Sequence, residues 1–160
     1  MKDIDKDFIH NGKNCKMKLG QVFENEDMID FKDYHNSHKK QNKICGKFKR
    51  RNEILPEILG EDLCCFLFNW YRTGKDCVLT NISNSGDALN IKEDGTGETI
   101  QIKGYTKRKG GGGPSSFGPR SQYDRLIAVE VDFDNDLYSY YDLSNIDINS
   151  MKMSKTETFE

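Results

Sequence analysis

Long apolar runs are missing from this chain. No stretch approaches the roughly 18 consecutive apolar residues of a membrane span, and the amino-terminal MKDIDKDFIHNGK has no apolar centre of signal-peptide length. A membrane-spanning or secreted protein is therefore not expected. Cysteine is scarce and odd in number: there are five, none in a CxxC pair, with Cys64 and Cys65 adjacent inside an apolar run. That pattern argues against a disulfide framework and for a reducing, cytoplasmic setting. Apolar residues make up only 35% of the chain against 31% charged, so its 160 residues are expected to form one compact domain with a heavily solvated periphery. No internal repeat is visible.

Charge of one sign is absent locally rather than overall. The net charge is −2, yet Asn36 to Arg51 holds seven Lys/Arg and no acid, while Asp124 to the end holds nine Asp/Glu against three Lys/Arg. A second basic cluster, Lys107, Arg108 and Lys109, runs into four glycines. Local basic surface on an acidic chain suits docking of a polyanion by one face. Two solvated basic loops would give the same composition.

What is present sharpens after residue 54. Residues 1–50 show weak periodicity, with short helices expected around Leu19 to Tyr34. From Leu55 to Arg72, Leu59, Leu63, Phe66, Leu67 and Trp70 recur at three- and four-residue steps, which predicts an amphipathic helix. Pro56 suits its first turn and Gly74 its stop. Glu61 borders the apolar stripe. Extended segments follow: DCVLTNI, GDALNI, ETIQIKGY, RLIAVEVDF and LYSYYDL, with Asn135 and Asp136 turning between the last two. A short helix is expected from Pro119 through Arg120 to Arg125, and residues 150–160 read as a frayed tail. A helix followed by a sheet with one crossover is an α/β or α+β layout.

Side chains alternate along a strand, so Thr99, Gln101 and Lys103 share one face and Glu98, Ile100 and Ile102 the other. Folding a hairpin about Gly95 sets Asp87 opposite Lys103 and Leu89 opposite Gln101, which gathers Asp87, Gln101 and Lys103 into one polar patch. A helix packed over that face would bring Glu61 to them. The same spacing also describes an ordinary cross-strand ion pair.

The stretch "SGD" (85–87) followed by "QIK" (101–103) resembles the PD-(D/E)XK nuclease motif, with Gln101 in place of the second acid. "LPEILGED" is similar to the helix that carries a supplementary glutamate in many type II restriction endonucleases, at Glu61. "IQIKGYTK…SSFGPRSQYDRL" resembles a stretch in a small family of type II restriction endonucleases that cut at GCNGC. The resemblance spans residues 55–142. It implies an α/β restriction-endonuclease-like core, a mixed central sheet flanked by helices, as a single domain over 1–160. Residues 52–142 would form the nuclease core, with 1–50 as an N-terminal region and 150–160 as a tail.

By the same resemblance the activity is Mg²⁺-dependent hydrolysis of double-stranded DNA at a specific sequence. Asp87, Glu61, Gln101 and Lys103 are the implied catalytic residues, and Asp87, Glu61, Gln101 and the Ile102 carbonyl the implied metal ligands. Palindromic cutting implies a homodimer. Implied DNA contacts are Lys107, Arg108, Lys109, Ser115, Ser116, Arg120 and Ser121, together with Lys47, Lys49, Arg50 and Arg51. Lys39, Lys40 and Lys43 extend the basic run along a DNA backbone, whereas Arg120 has the planar fork that reads guanine edges, or else pairs with Asp124. A DNA-binding module without catalysis, or a repair or junction nuclease of the same fold, are the alternatives.

Other constellations carry less. His35, His38 and Cys45 lack a fourth zinc ligand at sensible spacing and read as solvated polar residues. Glycines 110–113 lack the G-K-[ST] ending of a phosphate loop and read as a flexible loop that could order on DNA. Tyr138, Tyr140 and Tyr141 read as strand packing.

Overall fold

The structure is a computed structural model, described here for residues 1–82, 86–109, 123–144 and 152–158. Strand β1 (Lys2–His10) turns at Asn11-Gly12, with φ of 50° and 75°, into β2 (Lys13–Val22). Both positions need positive φ, which Asn-Gly supplies, and this two-residue connection matches the twist of antiparallel strands. Helix α1 (Asp27–Lys47) follows and buries Phe31, His35 and His38, one face at i, i+4 and i+7. A π-helical segment (Ile58–Asp62) runs directly into α2 (Leu63–Phe68), which ends at Asn69 in the left-handed conformation. The remaining strands are β3 (Tyr71–Arg72), β4 (Val78–Thr80), β5 (Ala88–Ile91), β6 (Gly97–Thr106), β7 (Arg125–Asp132), β8 (Leu137–Asp142) and β9 (Lys152–Thr158).

Among the described residues these strands make one nine-stranded sheet, ordered β1-β2-β3-β5-β6-β7-β8-β9, with β4 paired to β2. β6 and β7 pair in parallel, and the other pairs are antiparallel. The α/β reading with a mixed central sheet therefore holds. The helices cover one face, where Phe31, Leu59, Leu63 and Cys64 pack on Ile100, Ile102, Ile127 and Val129. On the other side Phe8, Cys15, Met17 and Cys77 enclose Leu89, and Leu126, Ala128 and Leu143 form a third cluster. All five cysteines are free. No helix among the described residues is long and apolar enough to cross a membrane.

Several expectations are corrected. The helix expected to stop at Gly74 ends at Asn69, because Trp70 turns inward and Tyr71–Arg72 join the sheet. In place of short helices from Leu19 to Tyr34 there is the end of β2 and a long α1. Part of the expected tail, Lys152–Thr158, pairs with β8 as an outer strand. Asp124 is not helical and Arg125 begins β7, so the helix expected to reach Arg125 does not extend that far. Its start at Pro119 and Arg120 lies outside the described residues, as do Ser115, Ser116, Ser121 and the four glycines.

His35 and His38 are 1% and 4% exposed, not solvated. His35 bonds the Tyr138 hydroxyl through Nδ1 at 2.7 Å and Asp136 through Nε2 at 2.8 Å. A helix lying on a sheet buries its inward stripe whatever the residue type, provided partners are supplied. Tyr138 and Tyr140 are fully buried, in line with strand packing, and Asp136 takes the left-handed turn position at φ 51°.

Candidate active site

The site is built where β5 stops short of its neighbour. The β5–β6 register pairs Ala88 with Ile100 and Leu89 with Thr99, so Asp87 lies against Gln101 rather than Lys103. The expected register is thus corrected by two residues. The hairpin is centred on Asp94, not Gly95: Lys92 N–H bonds Thr96 O at 2.8 Å, and Asp94 Oδ1 accepts from the Thr96 N–H at 2.9 Å. Among the described residues, the edge of β6 beyond the Ala88–Ile100 pair has no strand partner, and Asp87 takes that place. Its N–H bonds Ile100 O at 2.8 Å, and its Oδ2 accepts the Ile102 N–H at 2.8 Å. The N–H and C=O of one strand residue point to the same edge, so the Ile102 carbonyl also faces Asp87.

The helical layer supplies Glu61, but by a different route from the one expected. Its π segment packs on the face of Ile100, Ile102 and Gly104, opposite to the face from which Gln101 and Lys103 leave β6. Glu61 nonetheless feels the Asp87 charge, whose carboxylate sits at the edge of β6 on the Ile102 N–H. A π turn inserts one residue relative to an α-helix, and here Glu61 and Asp62 both turn to one partner, Arg72. Its Nε donates to Asp62 Oδ1 at 2.9 Å, its Nη1 to Asp87 O at 2.7 Å, and its Nη2 to Glu61 Oε2. Arg72 was missed in the sequence because it reads as the basic last turn of a longer helix.

The electrostatics follow from crowding acids in a half-buried place. Burial, then the nearby Asp87 charge, push the Glu61 carboxyl up to about 7 against the pull of Arg72. Burial also raises Asp87, opposed by the Ile102 N–H, Arg72 and Lys103, and raises Asp62, opposed by its hydrogen bond to Arg72. Lys103 bears on Asp87 electrostatically but forms no ion pair within 4 Å among the described residues. The ordinary cross-strand pair is therefore not what the strands make.

Glu61 Oε2 and Asp87 Oδ2 have protein donors, while the second oxygen of each has none among the described residues. No group of three or more His, Cys, Asp or Glu side chains is gathered to hold a metal among those residues. The available donors are instead two carboxylates and neutral oxygens. An oxygen-only set whose two acids burial pushes toward the neutral form is what a hard divalent cation relieves.

Of the basic candidates, Lys40, Lys43, Lys47, Lys49, Arg50 and Arg51 are exposed at and beyond the end of α1. Lys39 is tied to Asp136 at 3.0 Å. Lys107 is exposed just past β6, 3.7 Å from Asp132, and Arg108 and Lys109 are exposed beside it. Asp124 is held by His10 at 2.8 Å and by Thr99. No curated protein and no solved structure matches the chain. The model of the Bsp6I restriction endonuclease family matches residues 23–160.

Proposed function

Because the chain belongs to the Bsp6I restriction endonuclease family and is thus of the site-specific deoxyribonuclease class, we propose that it cuts duplex DNA with Mg²⁺ at the Asp87–Glu61 centre. The observation that carries this reading is the Asp87 carboxylate seated at the open edge of β6 beside Glu61. Asp87, Glu61, the Gln101 amide oxygen and the Ile102 carbonyl would hold the ion. When bound, Mg²⁺ supplies charge neutralisation at the phosphate and a more acidic water.

The chain's own groups do the rest. Asp87 stays fixed by the Ile102 N–H, so its second oxygen keeps one direction. Lys103 faces the phosphate, where its ammonium offsets charge or orients the attacking water. The exposed basic residues from Lys40 to Arg51, with Lys107, Arg108 and Lys109, follow the DNA backbone by charge. Arg120 would read bases, with Ser115, Ser116 and Ser121 as further DNA contacts. The resemblance points to GCNGC as the sequence cut, and its two-fold symmetry would call for a homodimer with one centre per strand.

Plasmid incubated with the protein, with and without Mg²⁺, tests the reading. Discrete fragments that appear only with Mg²⁺ and map to GCNGC are expected. A mobility shift without cleavage would instead favour a DNA-binding module on a nuclease fold, the reading that Gln101 in place of an acid also favours.

A further inference from the structure

Arg72 is only 9% exposed at its side chain, yet its donors are not spent on one partner. An arginine in an ion pair frequently grips one carboxylate through two parallel bonds. Here the fork is divided: Nε goes to Asp62 and Nη2 to Glu61 on the π segment, while Nη1 goes to the main-chain carbonyl of Asp87 and, at 3.3 Å, to that of Thr73. A planar, rigid guanidinium therefore spans the two carriers of the candidate ligands, helix and strand. It leaves one oxygen of Glu61 and both oxygens of the Asp87 side chain outside its grip.

We propose that Arg72 is a positioning residue, which sets Glu61 and Asp87 at a fixed separation so that one divalent cation meets an oxygen of each. The proposal rests on the reading of Asp87 and Glu61 as the ligands of that cation. Arginine is required rather than lysine, because an ammonium keeps the charge but cannot hold the Glu61 carboxylate, the Asp62 carboxylate and the Asp87 carbonyl in one plane. Asp62 does not touch the cation; it holds the far end of the guanidinium.

The test uses the full chain and Mn²⁺ as a probe, titrated calorimetrically without DNA, beside the Mg²⁺ dependence of plasmid cleavage. Arg72→Lys is expected to weaken Mn²⁺ binding by about 10–100-fold, the usual cost of losing a partner that orients a ligand. The Mg²⁺ concentration for half-maximal cleavage should rise in parallel, with a smaller fall in rate at saturating Mg²⁺. In a Glu61→Gln background the same substitution should add less than it does in the wild type, since the part of its action that passes through Glu61 is already lost and only its hold on the Asp87 carbonyl remains.

A folded Arg72→Lys protein with wild-type Mn²⁺ affinity, or a full additive loss in the double variant, overturns the proposal. Should Arg72→Lys fail to fold, Asp62→Asn loosens the guanidinium from its far end: a weaker shift in the same direction supports the proposal, and unchanged Mn²⁺ affinity overturns it. Wild-type Mn²⁺ binding by both Asp87→Ala and Glu61→Gln would overturn the ligand reading itself, independently of any Arg72 variant.

Discussion

Glu61 stands between the Asp87 carboxylate, which disfavours its charge, and Arg72, which favours it, and burial tips the result toward the neutral acid. Its folded value of about 7 lies above the ordinary 4.5, so the folded chain binds the extra proton and loses stability as pH rises between those values. Without metal, the Tm of Glu61→Gln relative to wild type should therefore grow from about pH 4.5 to about pH 7 and then level off. A gap that shrinks over that range would show Arg72 to be the stronger influence. Cleavage should rise through the same window and move to lower pH with more Mg²⁺.

Lys103→Ala should abolish cleavage and leave DNA binding in a gel shift largely intact; retention within tenfold, about 1.4 kcal/mol of transition-state stabilisation, removes Lys103 from the chemistry. At this scale the place of Asp87 at a strand start was legible because an acid after glycine stands out there. Its partner was misread because the Asp94–Thr96 bonds move the turn centre by one residue and hence the register by two.

At the scale of elements, the π segment meets the sheet through two glycines. A Cβ on Gly104 would stand 2.6 Å from Leu55 Cδ2 and 3.2 Å from Gly60 Cα, whereas one on Gly60 would meet only ordinary contacts of 3.5 Å and beyond. Gly104→Ala should thus cost on the order of 1–3 kcal/mol by overpacking and slow cleavage, as the segment carrying Glu61 is pushed off β6. Gly60→Ala should be neutral or stabilising, by up to about 1 kcal/mol of helix propensity. Urea melts of the two variants check the contrast, and equal losses would mean the approach is symmetric.

Strands β5 to β8 were legible because apolar residues cluster there between clear turn signals. The β1–β2 hairpin was not, despite Asn11-Gly12. Its buried side chains are Phe8, Cys15 and Met17, joined only by Gly20, so charged residues dilute any alternation. Helix α1 hid for a related reason: two of its three buried positions are histidines, which no hydrophobic pattern counts.

For the whole molecule, the uneven charge seen along the chain becomes a geometric one. The basic run occupies the C-terminal half of α1 and the residues after it, while Lys39 is neutralised by Asp136. Lys47 and Lys49 are the exposed pair to remove. Lys47→Ala with Lys49→Ala should weaken binding to the proposed GCNGC site and to scrambled duplexes alike and lower the slope of log affinity against log salt by about 2, one for each phosphate no longer neutralised. A weakening confined to GCNGC duplex would make them base readers. Residues 1–22 precede the family match, yet Phe8, Cys15 and Met17 cover Leu89 beside the site. The part that carries family likeness is thus smaller than the part that shares a core.

Among the described residues, β6 and β7 are the one pair of strands that runs parallel, and this has a kinetic consequence. Hairpins β1–β2, β5–β6 and β7–β8 close short loops, whereas β6 meets β7 only across the stretch that separates Ile100 from Arg125 and Thr106 from Val131. Closing that gap costs chain entropy before any ladder bond repays it. The hairpins therefore zip before the β6–β7 seam, while β2 meets β3 and β4 across still longer stretches, from Gln21 to Arg72 and from Lys16 to Thr80. The strand bearing Gln101, Ile102 and Lys103 waits with one edge bare until β7 arrives, the interval in which a nascent chain is most open to pairing with the wrong strand.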